Sequence, residues 1–201
     1  INIHIQNPKI SSKNFNYVIS PNHDSFYGSN VINSVGALHQ FEKPITKSNT
    51  KILTCIVGGD NQHYKFRLNE ANNLCKKLIE IKKFNYEIQL NIITSRRTSN
   101  LIKKILVKNL TDIAKIWTGE GANPYKQAIK ESSFFIVTSD STSMISEASI
   151  SGRPIYIYHL PFRRKSKRLV KFHNEFKALG VSRDLSNIKK LEKWTYKSLN
   201  E

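Results

Sequence analysis

Cysteine is nearly absent: the 201 residues hold two, Cys55 and Cys75. They fall in an expected strand and an expected helix, without CxxC spacing and without neighbouring histidine ligands. This leaves the reading of buried free thiols ahead of a metal or redox pair, as suits a reducing interior. Long apolar runs are missing too. None approaches the roughly 20 residues needed to cross a bilayer, and no positively charged start precedes an apolar stretch, so no signal peptide is visible. The chain opens on Ile1 and on INIHIQ, already strand-like, and reads as a fragment of a longer protein.

Acidic residues are few, 15 against 32 Lys and Arg, for a net charge of +17. Such a balance first raises nucleic acid as a partner. The lysines are dispersed, however, and Asn and Ile abound beside only 8 glycines. AT-rich coding produces that mixture without any partner. One basic cluster stands out: Arg163, Arg164, Lys165, Lys167, Arg168 and Lys171. Its readings are a solvated helix face, or contact with anionic lipid headgroups or a partner. Nucleic acid is disfavoured, since no RRM, KH or helix-turn-helix signal accompanies the charge.

The hydrophobic residues, 39% of the chain, lie in separated clusters of strand length. The length holds one full domain and part of another. Residues 1–45 carry short strand-like runs, INIHIQ, NYVIS and NVINSV, with no full helix, and read as the C-terminal remnant of a preceding domain. The polar stretch EKPITKSNTK, with Pro44, is the linker candidate. From residue 46 a second domain is expected, with strands KILTCIVGG, EIQLNIIT, AKIWT, SFFIVTS and PIYIYHL. Helices alternate with them; one, from about Leu68 to Lys83, sets Ala71, Leu74, Cys75, Leu78 and Ile79 on one face. From Phe162 to the end the chain reads as closing amphipathic helices, with a break at Gly180 and helix resuming after it. This alternation predicts an α/β fold: a Rossmann-type, doubly wound parallel sheet with helices on both faces.

Ligands of such sheets bind beyond the carboxyl ends of the strands. There the sequence places Gly58, Gly59, Asp60 and Asn61; Thr94, Ser95, Arg96 and Arg97; Gly119, Glu120 and Gly121; and Ser139, Asp140, Ser141 and Thr142. In VTSDSTSMISEAS a strand runs into a hydroxyl-rich turn and a helix whose first turn holds Thr142 and Ser143. Free amides, hydroxyls and the positive helix end make an anion site. Glu147, four residues after Ser143, shares its face and lies about where a ribose would follow a phosphate. The alternative is that Ser139 to Ser143 only cap the helix and that Glu147 is a surface residue. His23 and Asp24, in a loop that would face the cleft, are acid/base candidates or loop caps. His39 and His63 stand the same way. Trp117 is a base-pocket wall or a core aromatic.

The pieces VGGDNQHYKF, TSRRTS, IWTGEGANPY and VTSDSTSMISEA, in that order, with PNHD and GALHQ upstream, resemble the mitochondrial fission factor (elongated-mitochondria) family and its bacterial relatives. SDSTSMISEASISGRPIYI is also similar to the donor half of GT-B glycosyltransferases. The resemblance implies a two-domain GT-B protein and a nucleotide-diphosphate sugar as donor, with no cofactor. Glu147 would bind the ribose, and Ser139, Asp140, Ser141, Thr142 and Ser143 the diphosphate. Gly58 and Gly59 would let the donor approach, and Arg96 or Arg97 would neutralise phosphate. No catalytic base is assigned beyond His23 and Asp24. No metal is expected, because Asp140 stands without a second carboxylate. The acceptor would be lipid-linked. The competing expectation is a non-enzymatic adaptor at an anionic membrane surface. Under either reading the expected location is cytoplasmic, peripheral to the inner membrane.

Overall fold

The computed structural model describes residues 1–44, 50–197 and 199. Residues 45–49, the middle of the linker candidate, lie outside the described residues. Strands β1 (Ile3–Ile5), β2 (Tyr17–Pro21) and β3 (Val31–Ser34) form a small parallel sheet with β2 in the middle. The expected strand runs of residues 1–45 are all present. Register pairs Ile3 with Tyr17, and Ile5 with Ile19, which pairs in turn with Ile32. Paired residues of a parallel sheet point the same way, so these five share one face. On the opposite face Val18 and Ser20 are fully buried.

The larger sheet contains β4 (Ile52–Val57), β5 (Gln89–Thr94), β6 (Ala114–Trp117), β7 (Phe134–Thr138), β8 (Ile155–Tyr158) and β9 (Ser182–Asp184). All pairs are parallel, in the spatial order β6-β5-β4-β7-β8-β9. That is the doubly wound order, with its reversal between β4 and β7. The helices are α1 (Leu68–Phe84), α2 (Asn100–Leu110), α3 (Tyr125–Glu131), α4 (Thr142–Ser149) and α5 (Lys167–Ala178). Side chains alternate between two cores. Leu53, Cys55, Val57, Phe134 and Ile136 meet α1 and α2 on one face. Ile56, Phe135 and Val137 meet Ile129 of α3, α4 and α5 on the other. Strands buried on both faces must read as near-continuous apolar runs, and β4 and β7 do.

Two expectations need correction. In α1, Ile81 is fully buried, whereas Ile79 is 44% exposed and does not belong to the core face. The stretch after Gly180, expected to continue as helix, forms β9: Gly180 takes φ +70° and the chain returns to pair with β8. Both cysteines are free and buried. Burial pushes both thiols up, that of Cys75 to about 11. Among the described residues, no helix is long and apolar enough to cross a membrane.

The small sheet is seated on α4 and α5. Asn22 Nδ2 donates to Glu175 Oε1 at 2.7 Å, and Lys171 Nζ donates to the Asn22 carbonyl at 2.7 Å. Arg168 pairs with Asp24 at 3.2 Å, and the His23 ring stands edge-on to Phe172 at 5.1 Å. The basic cluster is therefore partly consumed by folding: Arg163 pairs with Asp60, Arg168 with Asp24, and Lys171 with the turn at Asn22. Arg164, Lys165 and Lys167 stay exposed.

Candidate functional site

The carboxyl ends of β4, β5 and β7 are tied together at the reversal point by one buried carboxylate. Asp140 Oδ2 accepts from the Gly59 amide at 3.1 Å and from Arg97 Nη2 at 2.6 Å. Its Oδ1 accepts from the Thr138 hydroxyl at 2.6 Å, and that hydroxyl oxygen accepts from the Gly58 amide at 2.8 Å. Thr98, after β5, donates to the Val57 and Gly58 carbonyls. The Asp140 side chain has no exposed surface, while that of Arg97 retains 45%.

This geometry changes the roles expected of four residues. A Cβ on Gly58 would lie 2.1 Å from both Asp140 oxygens, and one on Gly59 would lie 2.1 Å from the Arg97 carbonyl oxygen. The space that these glycines leave is filled by the protein's own Asp140 and by the loop after β5, not kept open for a ligand. Arg97 and Asp140 neutralise each other, so neither presents net charge to a phosphate. Arg96 is exposed beside them. Sequence reasoning missed Thr138 and Thr98. The signal was present, for an acid inside a phosphate turn would repel phosphate unless a cation were spent on it.

The α4 N-terminus lies beside this clamp. Ser139 is fully buried; its hydroxyl accepts from the Leu160 amide at 3.0 Å and its carbonyl meets His173 Nε2 at 3.0 Å. Ser141 caps the helix, accepting from the Met144 amide at 3.4 Å. Ser139 and Ser141 are therefore engaged in packing and capping. The amides of Thr142 and Ser143 have no partner among the described residues, and Ser143 is exposed. Glu147, one turn on, is half-buried and accepts from the Tyr125 hydroxyl. Of the residues expected from sequence, Thr142, Ser143, Glu147 and Arg96 retain free groups on this edge. A cavity of about 1090 Å³ opens at the opposite edge of the sheet, between Lys51, Phe84, Phe134, Pro154 and Trp194, and none of these residues lines it.

His23 and Asp24 do not stand in an open loop. They form a 3-10 turn on α5, His23 is 2% exposed, and its Nε2 lies 3.9 Å from Asp24 Oδ1. Burial outweighs the attraction of Asp24 and lowers the His23 pKa to about 4, with Arg168 and Lys171 acting in the same direction as burial. Burial likewise holds His173 at about 4, aided by His159. An unfolded histidine titrates near 6.5. These two groups therefore contribute stability that is complete above about pH 6.5 and lost as pH falls toward 4. The thermal midpoint is expected to drop between pH 7 and pH 5, and His23→Gln with His173→Gln to flatten that part of the profile. A wild-type midpoint that holds steady across this range would contradict the assignment. The Nδ1 atoms of His39 and His63 and the indole N–H of Trp117 are buried without partners among the described residues, and Trp117 borders an apolar groove under α3.

The solved structures similar to this chain share its fold at low identity. The MnaA of S. aureus, solved with UDP, superposes with a TM-score of 0.53 at 14% identity, covering 84% of this chain and 46% of that one. The MurG of Acinetobacter baumannii gives 0.50 at 16%, covering 88% and 49%. The fold is thus α/β of the GT-B kind. In sequence, the chain is 22% identical to the Mitochondrial fission protein ELM1 of Arabidopsis thaliana over 99% of its length and 55% of that protein's. It is 32% identical to the uncharacterised protein RP120 of Rickettsia prowazekii over 73% of its length and 42% of that protein's. The chain spans about half the length of these relatives. The family model described as Mitochondrial fission ELM1 matches residues 1–201, so the chain belongs to the mitochondrial fission ELM1 family.

Proposed function

We propose that this chain binds a nucleoside-diphosphate sugar at the carboxyl ends of its large sheet and supplies the donor half of a glycosyl-transferring protein. The observation that carries this reading is the pair of amides at Thr142 and Ser143, which have no partner among the described residues. They open the helix that follows β7, at the strand-order reversal, with Glu147 one turn beyond. Amides and the helix dipole hold the diphosphate, the Ser143 hydroxyl adds a donor, and Arg96 supplies the charge that Arg97 does not. Glu147 accepts from a ribose hydroxyl through the oxygen that Tyr125 leaves free. As the sugar departs, charge growing on the diphosphate meets donors already in place. The acceptor and the group that activates it belong to the rest of the protein in this reading.

Calorimetry of the intact protein with UDP, GDP, ADP and CMP tests it, and the UDP named with MnaA makes UDP the first choice. Binding at millimolar or better to one of the four is expected. Glu147→Ala should weaken it about tenfold, the worth of a hydrogen bond to a charged acceptor. Silence toward all four nucleotides would end the proposal. The adaptor reading keeps the exposed cations Arg164, Lys165 and Lys167, which charge reversal and flotation with anionic vesicles would probe.

A further inference from the structure

Three parts of the chain converge on Glu147. Helix α3 begins at Tyr125, whose amide donates to Asn123 Oδ1 at 3.0 Å and whose hydroxyl reaches across to Glu147 Oε2 on α4. The Tyr125 ring is backed by Phe41, edge-on at 5.7 Å and 77°. Phe41 arrives on the segment that leaves the small sheet, and this segment is seated on α4. The Ala37 amide donates to Ser146 Oγ at 2.8 Å. Gly36, at φ +73°, passes so close that a Cβ would lie 2.6 Å from Ser146 Oγ and 2.9 Å from Phe176.

We propose that Tyr125 is the positioning residue of this site, holding one oxygen of Glu147 so that the other is set toward the ribose diol of a nucleotide. The inference rests on the nucleotide-binding reading above. Burial and the adjacent carboxylate both push the Tyr125 pKa up, so the phenol stays protonated and remains a donor at every physiological pH. Glu147 Oε1 has no partner among the described residues and is not among the buried polar atoms left unsatisfied, so it is open to solvent. Ordering a free glutamate costs rotamer entropy. A glutamate already tied to Tyr125 binds with less of that cost, which is the gain of preorganisation. Phe41 holds Tyr125 in turn, so the segment after the small sheet stiffens a site on the other domain without touching the ligand.

Tyr125→Phe keeps the ring on Phe41 and removes only the hydroxyl, and circular dichroism would confirm that it folds. The probe is UDP, or whichever of GDP, ADP and CMP binds most tightly, beside its 2′,3′-dideoxy counterpart. Tyr125→Phe is expected to lose about tenfold in affinity for the ribonucleotide and nothing for the dideoxy form, and to add no further loss in a Glu147→Gln background. Equal ribonucleotide affinity in Tyr125→Phe and wild type would overturn the inference alone. So would an equal loss for both probes, which marks a merely structural tie. Wild-type protein that binds none of the four nucleotides overturns the nucleotide-binding reading, and the inference falls with it.

Discussion

Arg97→Ala is expected to lower stability by about 2–4 kcal/mol, more than Asp140→Asn does, although the two residues form a single ion pair. The asymmetry follows from exposure. Removing the arginine strands a carboxylate with no exposed surface, held then, among the described residues, by the Gly59 amide and the Thr138 hydroxyl. Removing the carboxylate charge strands a guanidinium that keeps 45% of its surface and can turn to water. Breaking a fully buried pair costs about 3–5 kcal/mol; partial hydration of Arg97 places this one somewhat lower. Chemical denaturation of the two single variants and the double variant is the measurement. The double variant should recover part of the Arg97→Ala loss, since no buried charge remains in it. Additive losses in the cycle would show that the pair is not coupled.

Gly59→Ala is expected to be at least as damaging, for a reason unrelated to charge. Its Cβ would lie 2.1 Å from the Arg97 carbonyl oxygen and 2.4 Å from the carbonyl carbon, which are backbone atoms with little room to move. Inserting a methyl group into a packed site commonly costs about 1–3 kcal/mol. A backbone clash of this depth puts Gly59→Ala at about 3 kcal/mol or more. For a chain of this size that is a fall of roughly 6–12 °C in thermal midpoint. Alanine at Gly152 is the control: its own φ of +67° carries strain, but nothing lies within 4 Å of its Cβ. The loss at Gly152 should be the smaller of the two, and a reversed order would contradict the clamp.

Much of the architecture could be read from the residues because most of its elements are locally determined. The helix expected over TSMISEAS is Thr142–Ser149, since a serine cap opens it and Gly152 turns the chain back after it. The β-branched and aromatic runs of β4, β5 and β7 could hardly be anything but buried strands. What escaped depended on partners distant in sequence. Ile79 and Ile81 sit at opposite edges of the α1 stripe at about 100° per residue. Which edge is covered is decided by how the neighbouring elements pack on α1. β9 has no apolar run to announce it; SRD becomes a strand because β8 offers an edge. In the site, the serines, the glutamate and the arginines were legible as a polar strand edge. That Arg97 would be matched to Asp140 was not, because 43 residues separate them. The structure thus divides a uniform list of phosphate ligands into a clamp and a smaller set of free donors.

The strand order also bears on how the protein is made. β4 is central in the finished sheet yet is the first of its six strands to leave the ribosome, and its partner on one side is β7. The loop after β4 meets its counterpart across an interval of 81 residues, from Gly59 to Asp140. Until β7 is synthesised, the most apolar strand of the sheet keeps a full row of backbone amides and carbonyls unpaired along one edge. Such an edge is a template for intermolecular pairing. Translation products that stop inside α3 would carry β4, β5 and β6 with that edge bare, and they are the species expected to be claimed by chaperones and proteases.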